Sequence, residues 1–520
     1  MEPYSVLALL LCLCASASEG GKLLVVPIDG SPWLSMKILV KELVARGHEV
    51  VVLVPDVSLL VKGSQSFNTV IYKVPYTKED LDAKFAALSS GIFTPPKFSD
   101  YLDNVDLLVN YTTTEMRGCE NLLKNEELMD QLRGEAFEAL LTDPFLPCGS
   151  LLARMFSIPA IYYLRGLPCG LDQKANQCPS PPSFVPISFS DNTDKMDFPQ
   201  RIQNTLLYGV ESYMCTVEYA TYDDLVRRYI DENMSYQQLL GEGAIWLLRY
   251  DFTFEWPRPI MPNMVFIGGI NCAKKSPLSA DLEEFVEGSG EHGIIVFTLG
   301  SMVSNMPLEI AKLFFEAFGQ VPQRVLWRYD GEIPADAPKN VMPLKWLPQN
   351  DLLAHPKARL FMTHGGIHGT YEGICNGVPM LMFPLFGDQQ DNVHRMVAKG
   401  VAEQLLIYDL STESLVTALK KILNDKRYQE NMQTLSSLHN DRPVPPLDLA
   451  VFWTEFVLRH KGADHLRVAA HNLNWIQYFC LDVLGFLVLI VFIVVWITVK
   501  CCLFCTRKCC GRGTVKKKQA

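Results

Sequence analysis

Two short stretches carry the residue types that could do chemistry. The first is Thr363-His364-Gly365-Gly366-Ile367-His368-Gly369-Thr370. A strand, a glycine pair and the start of a helix turn backbone N–H groups and a helix N-terminus toward one point, which suits an anionic group. His364 and His368 flank that point as further donors. On these residues alone, a tight turn that needs glycine for its backbone competes with that reading. The second stretch is LLVVPIDGSPWLSMK, residues 23–37, where an apolar strand runs into Asp29-Gly30-Ser31-Pro32-Trp33. Open α/β sheets hold ligands in the loop after a strand's carboxyl end, so a proton-transferring side chain is expected there. Proline can neither take nor give a proton.

Both stretches need strands and helices to position them. Residues 23–27 read as a strand, 34–46 as an amphipathic helix closed by Gly47, and 50–54 as a second strand. Runs at 139–141, entering Thr142-Asp143-Pro144, and at 160–164 continue the first half. The proline-rich stretch 178–197 reads as a surface excursion and 250–271 as an interdomain connector. In the second half, strands are expected at 293–300, 325–328, 341–345, 358–363 and 378–384, with a helix at 367–376 stopped by Gly377. With 520 residues the chain exceeds one ordinary core. The expected fold class is therefore α/β, two doubly wound Rossmann-like domains facing a cleft. No internal repeat is visible.

Two segments stand outside that body. Residues 6–17 are apolar and end in Ala15-Ser16-Ala17, which fits a signal peptide (1–17), although its start carries Glu2 and no Lys or Arg. Residues 483–499 contain no charge, and the basic residues Lys500, Arg507, Lys508, Arg512, Lys516, Lys517 and Lys518 follow without an acidic one. The positive-inside rule makes this a single span (479–499) with a cytosolic tail (500–520) and a lumenal body. The sequons at Asn110 and Asn233 both fall on the lumenal side. Lys517 and Lys518, near the C-terminus, resemble a dilysine signal for endoplasmic-reticulum retrieval; attraction to anionic lipid is the other reading. The net charge of -10 argues against general nucleic-acid binding. The lumenal cysteines 119, 148, 169, 178, 215, 272 and 375 are too sparse for a disulfide framework, with one or two bridges expected. No metal-ligand spacing appears among Cys and His.

Residues 346–355, WLPQNDLLAH, and 364–392, HGGIHGTYEGICNGVPMLMFPLFGDQQDN, resemble the donor-binding signature of the UDP-glycosyltransferases. PRPIMPN at 257–263, GSMVS at 300–304 and the C-terminal span narrow the resemblance to vertebrate-type UDP-glucuronosyltransferases, family 1. It covers essentially the whole chain and implies a GT-B fold. The implied layout is an acceptor-binding domain at 18–262, a UDP-sugar-binding domain at 263–440 and a return segment at 441–478.

Carried over by residue, the resemblance implies that Trp346 stacks on uracil and Gln349 bonds its edge. Glu372 would accept the ribose hydroxyls, and Ser301, His364, Gly365, Gly366 and His368 would surround the diphosphate without a metal. Asp388 and Gln389 would hold sugar hydroxyls. Arg258 would pair with the glucuronate carboxylate or the diphosphate. Ile367 stands where relatives commonly carry a small residue and is expected to crowd the phosphate turn slightly. UDP-glucuronate is implied as co-substrate, with no tightly bound cofactor. A small lipophilic acceptor, the membrane and a dimer with related transferases are the implied partners.

The family's acceptor site pairs a histidine, at the position matching Pro32, with an aspartate matching Asp143. The one other histidine in the first half, His48, lies where the helix ends and the second strand begins, away from the crevice, and reads as structural. Three readings follow. Amine acceptors need no base, and Asp143 would stabilise the developing cation, as relatives with proline here are associated with N-glucuronidation. Alternatively Asp143 alone serves acidic phenols, or the chain is a silent nucleotide-sugar-binding partner of active relatives. A UDP-glucosyltransferase is a further alternative.

Overall fold

The computed structural model describes residues 20–510 except 90, 96–97, 273–274, 302 and 304. The expected leader and the dilysine, Lys517 and Lys518, lie outside the described residues.

The first sheet is built from β1 (Lys22–Val26), β2 (Glu49–Pro55), β3 (Asn68–Tyr72), β4 (Ala139–Thr142), β5 (Ala160–Leu164), β6 (Ile245–Leu248) and β7 (Met264–Phe266). Its spatial order is β3-β2-β1-β4-β5-β6-β7, all parallel. The second contains β8 (Ile294–Thr298), β9 (Arg324–Arg328), β10 (Val341–Leu344), β11 (Ala358–Thr363), β12 (Met380–Met382) and β13 (Ala402–Gln404). Its order is β10-β9-β8-β11-β12-β13, again parallel. Crossover helices cover both faces of such sheets, so central strands are buried runs without polar alternation. Strands β4 (ALLT) and β6 (IWLL) are buried at every residue.

Strand order reverses between β1 and β4 in the first sheet and between β8 and β11 in the second. The connections on either side of a reversal leave in opposite directions and open a crevice at the strands' carboxyl ends. Pairing of Val26 with Thr142 sets the loop after β1 beside Asp143. Pairing of Thr363 with Thr298 sets His364 beside the turn at Gly300. Both stretches singled out from the sequence thus fall at switch points.

Helix α1 (Ser31–Ala45) begins earlier than the expected 34, with Pro32 inside its first turn. Proline is favoured there because its missing N–H would have no helical partner. Trp33, Met36, Leu39, Val40 and Leu43 recur at helical spacing and are fully buried against the sheet. The longer helix α2 (Phe98–Leu123) covers the opposite flank of the crevice. Helix α3 (Ile367–Asn376) and helix α4 (Gln389–Ala398) follow β11 and β12. The last helix of this unit, α5 (Pro446–His460), returns to the first sheet. Its Leu447, Ala450, Val451, Val457 and Leu458 join one core with Leu23, Val25 and Trp33. Arg46 Nη2 meets Asp448 at 3.0 Å.

Segment 178–197 runs over the surface as expected, anchored where Val185 and Met196 are buried and where Asn204 Nδ2 donates to the carbonyls of Pro182 and Val185 at 2.7 and 2.9 Å. Two expectations need correction. The connector 250–271 contributes an edge strand, β7. The cysteines form three bridges, Cys119–Cys148, Cys169–Cys215 and Cys272–Cys375, leaving Cys178 buried and unpaired. Each pair joins elements that approach only in the finished fold.

The C-terminal unit contains helix α6 (Leu481–Cys510), which includes the expected span 483–499 and is long and apolar enough to cross a membrane. Its 30 residues correspond to roughly 45 Å at the α-helical rise, against a bilayer core of about 30 Å.

Candidate active site

At the second switch point the glycines are required by contact as much as by conformation. Gly300 and Gly365 adopt φ of 91° and 85°. A Cβ on Gly300 would lie 2.6 Å from the His364 ring, and one on Gly365 would lie 2.7 Å from Val393. Helix α3 starts at this turn with no side chain capping it, so its first N–H groups face outward as an anion cradle. Arg328 holds the other wall, donating to the carbonyls of Gly300 and Ser301, the latter at 3.2 Å. Burial pushes the His364 imidazole down to about 4, Arg328 adds to this, and Asp388 opposes it. His364 is therefore neutral at physiological pH and offers a hydrogen bond, leaving the helix end and backbone donors to meet negative charge. Ile367, expected to crowd this turn, is instead buried in the apolar core beneath the sheet.

Trp346 is 58% exposed, an unusual place for so large an apolar surface, with the Arg328 guanidinium 5.3 Å from its ring. A half-open indole backed by a cation is a ready platform for a planar base. Gln349 Nε2 donates to the buried Glu372, and His368 Nε2 lies 3.1 Å from the other Glu372 oxygen. His368 is thus partnered, through Nε2, within its own helix. Its four-residue spacing from Glu372 puts both on one helix face, and its Nδ1 lies 2.9 Å from Ser35 Oγ in α1. Trp346→Ala is expected to weaken UDP binding about fivefold or more, since lost stacking costs on the order of 1 kcal/mol beyond burial. Calorimetric titration with UDP checks this; unchanged affinity would remove the base from Trp346.

Gln389 Oε1 accepts from the N–H groups of Leu385 and Phe386 at 2.8 and 3.1 Å, which fixes the loop and leaves the amide nitrogen for a ligand. Asp388 Oδ2 accepts from Asn392 Nδ2 at 2.9 Å. The cation facing this pair is Arg165, at the end of β5. It lies 2.8 Å from Glu255, 3.6 Å from Asp388 and 3.1 Å from Asn392 Oδ1. The sequence pointed to Arg258 for a different task, pairing with the glucuronate carboxylate or the diphosphate. Among the described contacts, Arg258 lies 4.8 Å from the Tyr250 ring, with Asp172 and Glu255 as charge partners.

On the acceptor side, Asp143 is only 5% exposed and Oδ1 accepts from the Phe145 N–H at 3.0 Å. Burial pushes its carboxyl up to about 6, against the opposing pull of that N–H and of Arg249. A cavity at the ends of β1, β2 and β4 is lined by Ile28, Asp29, Tyr111, Glu115, Asp143 and Leu146 among others. His48 takes the structural place expected of it: Nδ1 accepts from the Gly21 N–H at 3.0 Å and Nε2 lies 3.4 Å from Glu455. Asn110 and Asn233 are both exposed, the first within α2 and the second on a turn. Glu283, Glu287 and His355 bring ligand atoms within 4.8 Å of one another, a grouping no spacing revealed, and Lys357 already pairs with Glu287 at 2.7 Å.

Two facing parallel sheets with ligand turns at their switch points define a GT-B glycosyltransferase, and solved structures share the arrangement. The glycotransferase of kitacinnamycin superposes with a TM-score of 0.55 at 18% identity, covering 85% of this chain and 99% of its own. The calicheamicin glycosyltransferase CalG4 gives 0.55 at 17%, covering 85% and 98%. The chain belongs to the family UDP-glucoronosyl and UDP-glucosyl transferase, which matches residues 21–518. It is similar to the UDP-glucuronosyltransferase of Pleuronectes platessa, 57% identical over 470 residues, 90% of this chain and 100% of that one. UDP-glucuronosyltransferase 1A1 of Rattus norvegicus is 51% identical over 512 residues, covering 98% and 96%. UDP-glucuronosyltransferase 1A4 of Homo sapiens is 50% identical over 502 residues, covering 96% and 94%.

Proposed function

We propose that the chain transfers glucuronate from UDP-glucuronate, with inversion, to small lipophilic acceptors, and that amine nitrogens are favoured over phenols. The observation that carries the preference is the pair at the first switch point. Asp143 is buried and charged above about pH 6, while Pro32 stands where a proton-accepting imidazole would be needed. A phenol must lose its proton as it attacks; a tertiary amine attacks through its lone pair and needs only stabilisation of the cation it becomes. On the donor side, Trp346, Gln349 and Glu372 hold uridine, Ser301, His364, Gly365 and Gly366 the diphosphate, and Asp388 and Gln389 the sugar. His368 orients Glu372, and Arg165 supports Asp388.

The test is an acceptor panel of phenols and tertiary amines with UDP-glucuronate and UDP-glucose. Faster transfer to amines, with glucuronate, is expected. Preference for phenols would overturn the acceptor reading, preference for glucose the donor reading, and UDP binding without any transfer would favour a silent partner subunit.

The same reading places the enzyme in the endoplasmic-reticulum membrane as a single-pass protein, glycosylated at Asn110 or Asn233, with α6 as anchor and the catalytic body lumenal. Protease added to sealed microsomes is expected to trim only a small C-terminal piece. Digestion of the body without detergent would reverse the topology.

A further inference from the structure

Helix α1 carries a single polar residue among its buried positions. Ser35 is 1% exposed, and its neighbours Trp33 and Met36 belong to the apolar core. A buried hydroxyl is costly unless it is bonded, and both of its described contacts lead away from its own helix. Arg249, at the carboxyl end of β6, donates from Nη1 to Ser35 Oγ at 3.3 Å, and His368 Nδ1 lies 2.9 Å from the same oxygen. Arg249 is itself buried. Its backbone N–H donates to the Leu164 carbonyl at 2.8 Å, and its charge also pulls on Asp143.

These contacts have a direction. A guanidinium only donates, so Ser35 Oγ accepts from Arg249 and turns its own proton to His368 Nδ1. An imidazole that accepts at Nδ1 carries its proton on Nε2, which faces Glu372 Oε1 at 3.1 Å. The other Glu372 oxygen accepts from Gln349 Nε2. Each carboxylate oxygen has two lone pairs, so one on each stays free, which suits a neighbouring pair of hydroxyls. Asn271 Nδ2 donates to the His368 carbonyl at 3.0 Å and holds the backbone at this point.

We propose that Ser35 is a positioning residue for the ribose. With Arg249 behind it, Ser35 carries a hydrogen-bond chain from the first half of the protein through His368 to Glu372. Selection of a ribose over a 2′-deoxyribose is then set by both halves of the chain. The inference rests on the proposed role of Glu372 in holding the ribose hydroxyls. Without the Ser35 hydroxyl, His368 Nδ1 loses its partner and the ring is free to turn or to exchange tautomers. Glu372 keeps its charge but loses the donor that aims one of its oxygens. Arg249 loses an acceptor as well, which costs stability. Stability alone does not separate two nucleotides that differ by one hydroxyl.

The probes are UDP and 2′-deoxy-UDP, titrated calorimetrically into the full-length enzyme in detergent. The native enzyme is expected to prefer UDP by about tenfold or more, the scale of a hydrogen bond to a charged group. Ser35→Ala should reduce that preference to about threefold or less, chiefly by weakening UDP. Alanine is the better helix former, so α1 persists in the variant. His368→Phe should reduce the preference equally and the double variant no further, because serial links in one chain are not additive. A preference unchanged in Ser35→Ala, equal weakening of both nucleotides, or additive losses in the double variant overturns the proposal. A native enzyme that does not separate the two nucleotides removes the ribose from Glu372 and takes the chain with it. Binding is read without turnover, so the acceptor reading stands or falls separately.

Discussion

Asp143→Asn is expected to lower kcat/KM for tertiary amines by about 10²–10³-fold, the scale of losing one preorganised electrostatic partner, with UDP affinity unchanged. An attacking amine acquires positive charge as UDP leaves, and a carboxylate in a site this buried acts through little screening. Asn keeps the side chain's size and can still accept from the Phe145 N–H, so the loss reports charge rather than collapse. The pH profile adds a second readout. The ionised form is the useful one, so the native rate falls as pH drops through about 6, and the variant should be flat in that window. Stability moves the other way. A carboxyl raised from 3.8 to about 6 binds its proton more tightly when folded, so the native protein loses stability as pH climbs through that interval. The Asn variant should not. An unchanged amine rate in Asp143→Asn would remove the residue from the chemistry.

How much of this was legible depended on whether a signal was local. Strands β5 and β11 and helix α3 begin and end at the expected residues, because each is an apolar run or periodic segment with glycine or a polar turn beside it. Strand β3, NTVIY, is an edge with no fully buried residue, so it offers neither a continuous run nor a clean alternation. Pro32 read as loop because proline marks turns, yet the first turn of a helix accepts it equally well. The phosphate turn was visible because its glycines and histidines are adjacent in sequence. Arg165 was not, since it ends an apolar strand and its partner Asn392 lies 227 residues away. The bond between Ser35 and His368 spans 333 residues and joins the two halves. No pattern within the motif could reveal that contact.

Pro32→His is expected to raise kcat/KM for simple phenols about tenfold or more while changing that for tertiary amines little. General-base catalysis is typically worth about a hundredfold or more where the base is well placed. Two physical effects reduce the expected gain. Proline stiffens the first turn of α1, and replacing it loosens the loop that must position the ring. The positive end of the helix also disfavours the imidazolium that forms when the base takes its proton. Asp143 counters the second effect. Val26 pairs with Thr142, so the loops leaving β1 and β4 start side by side, and a carboxylate at 143 can orient an imidazole at 32 and balance its charge. The gain should therefore vanish in the double variant Pro32→His, Asp143→Asn, and it should follow a new inflection in the phenol pH profile near the ordinary histidine range. Amines supply the control, because a nucleophile without a proton to lose draws nothing from a base. Equal gains on both acceptor types would mean that the substitution acts by freeing the loop. A variant that folds, binds UDP-glucuronate and leaves phenols unchanged would mean that position 32 does not reach the acceptor at all.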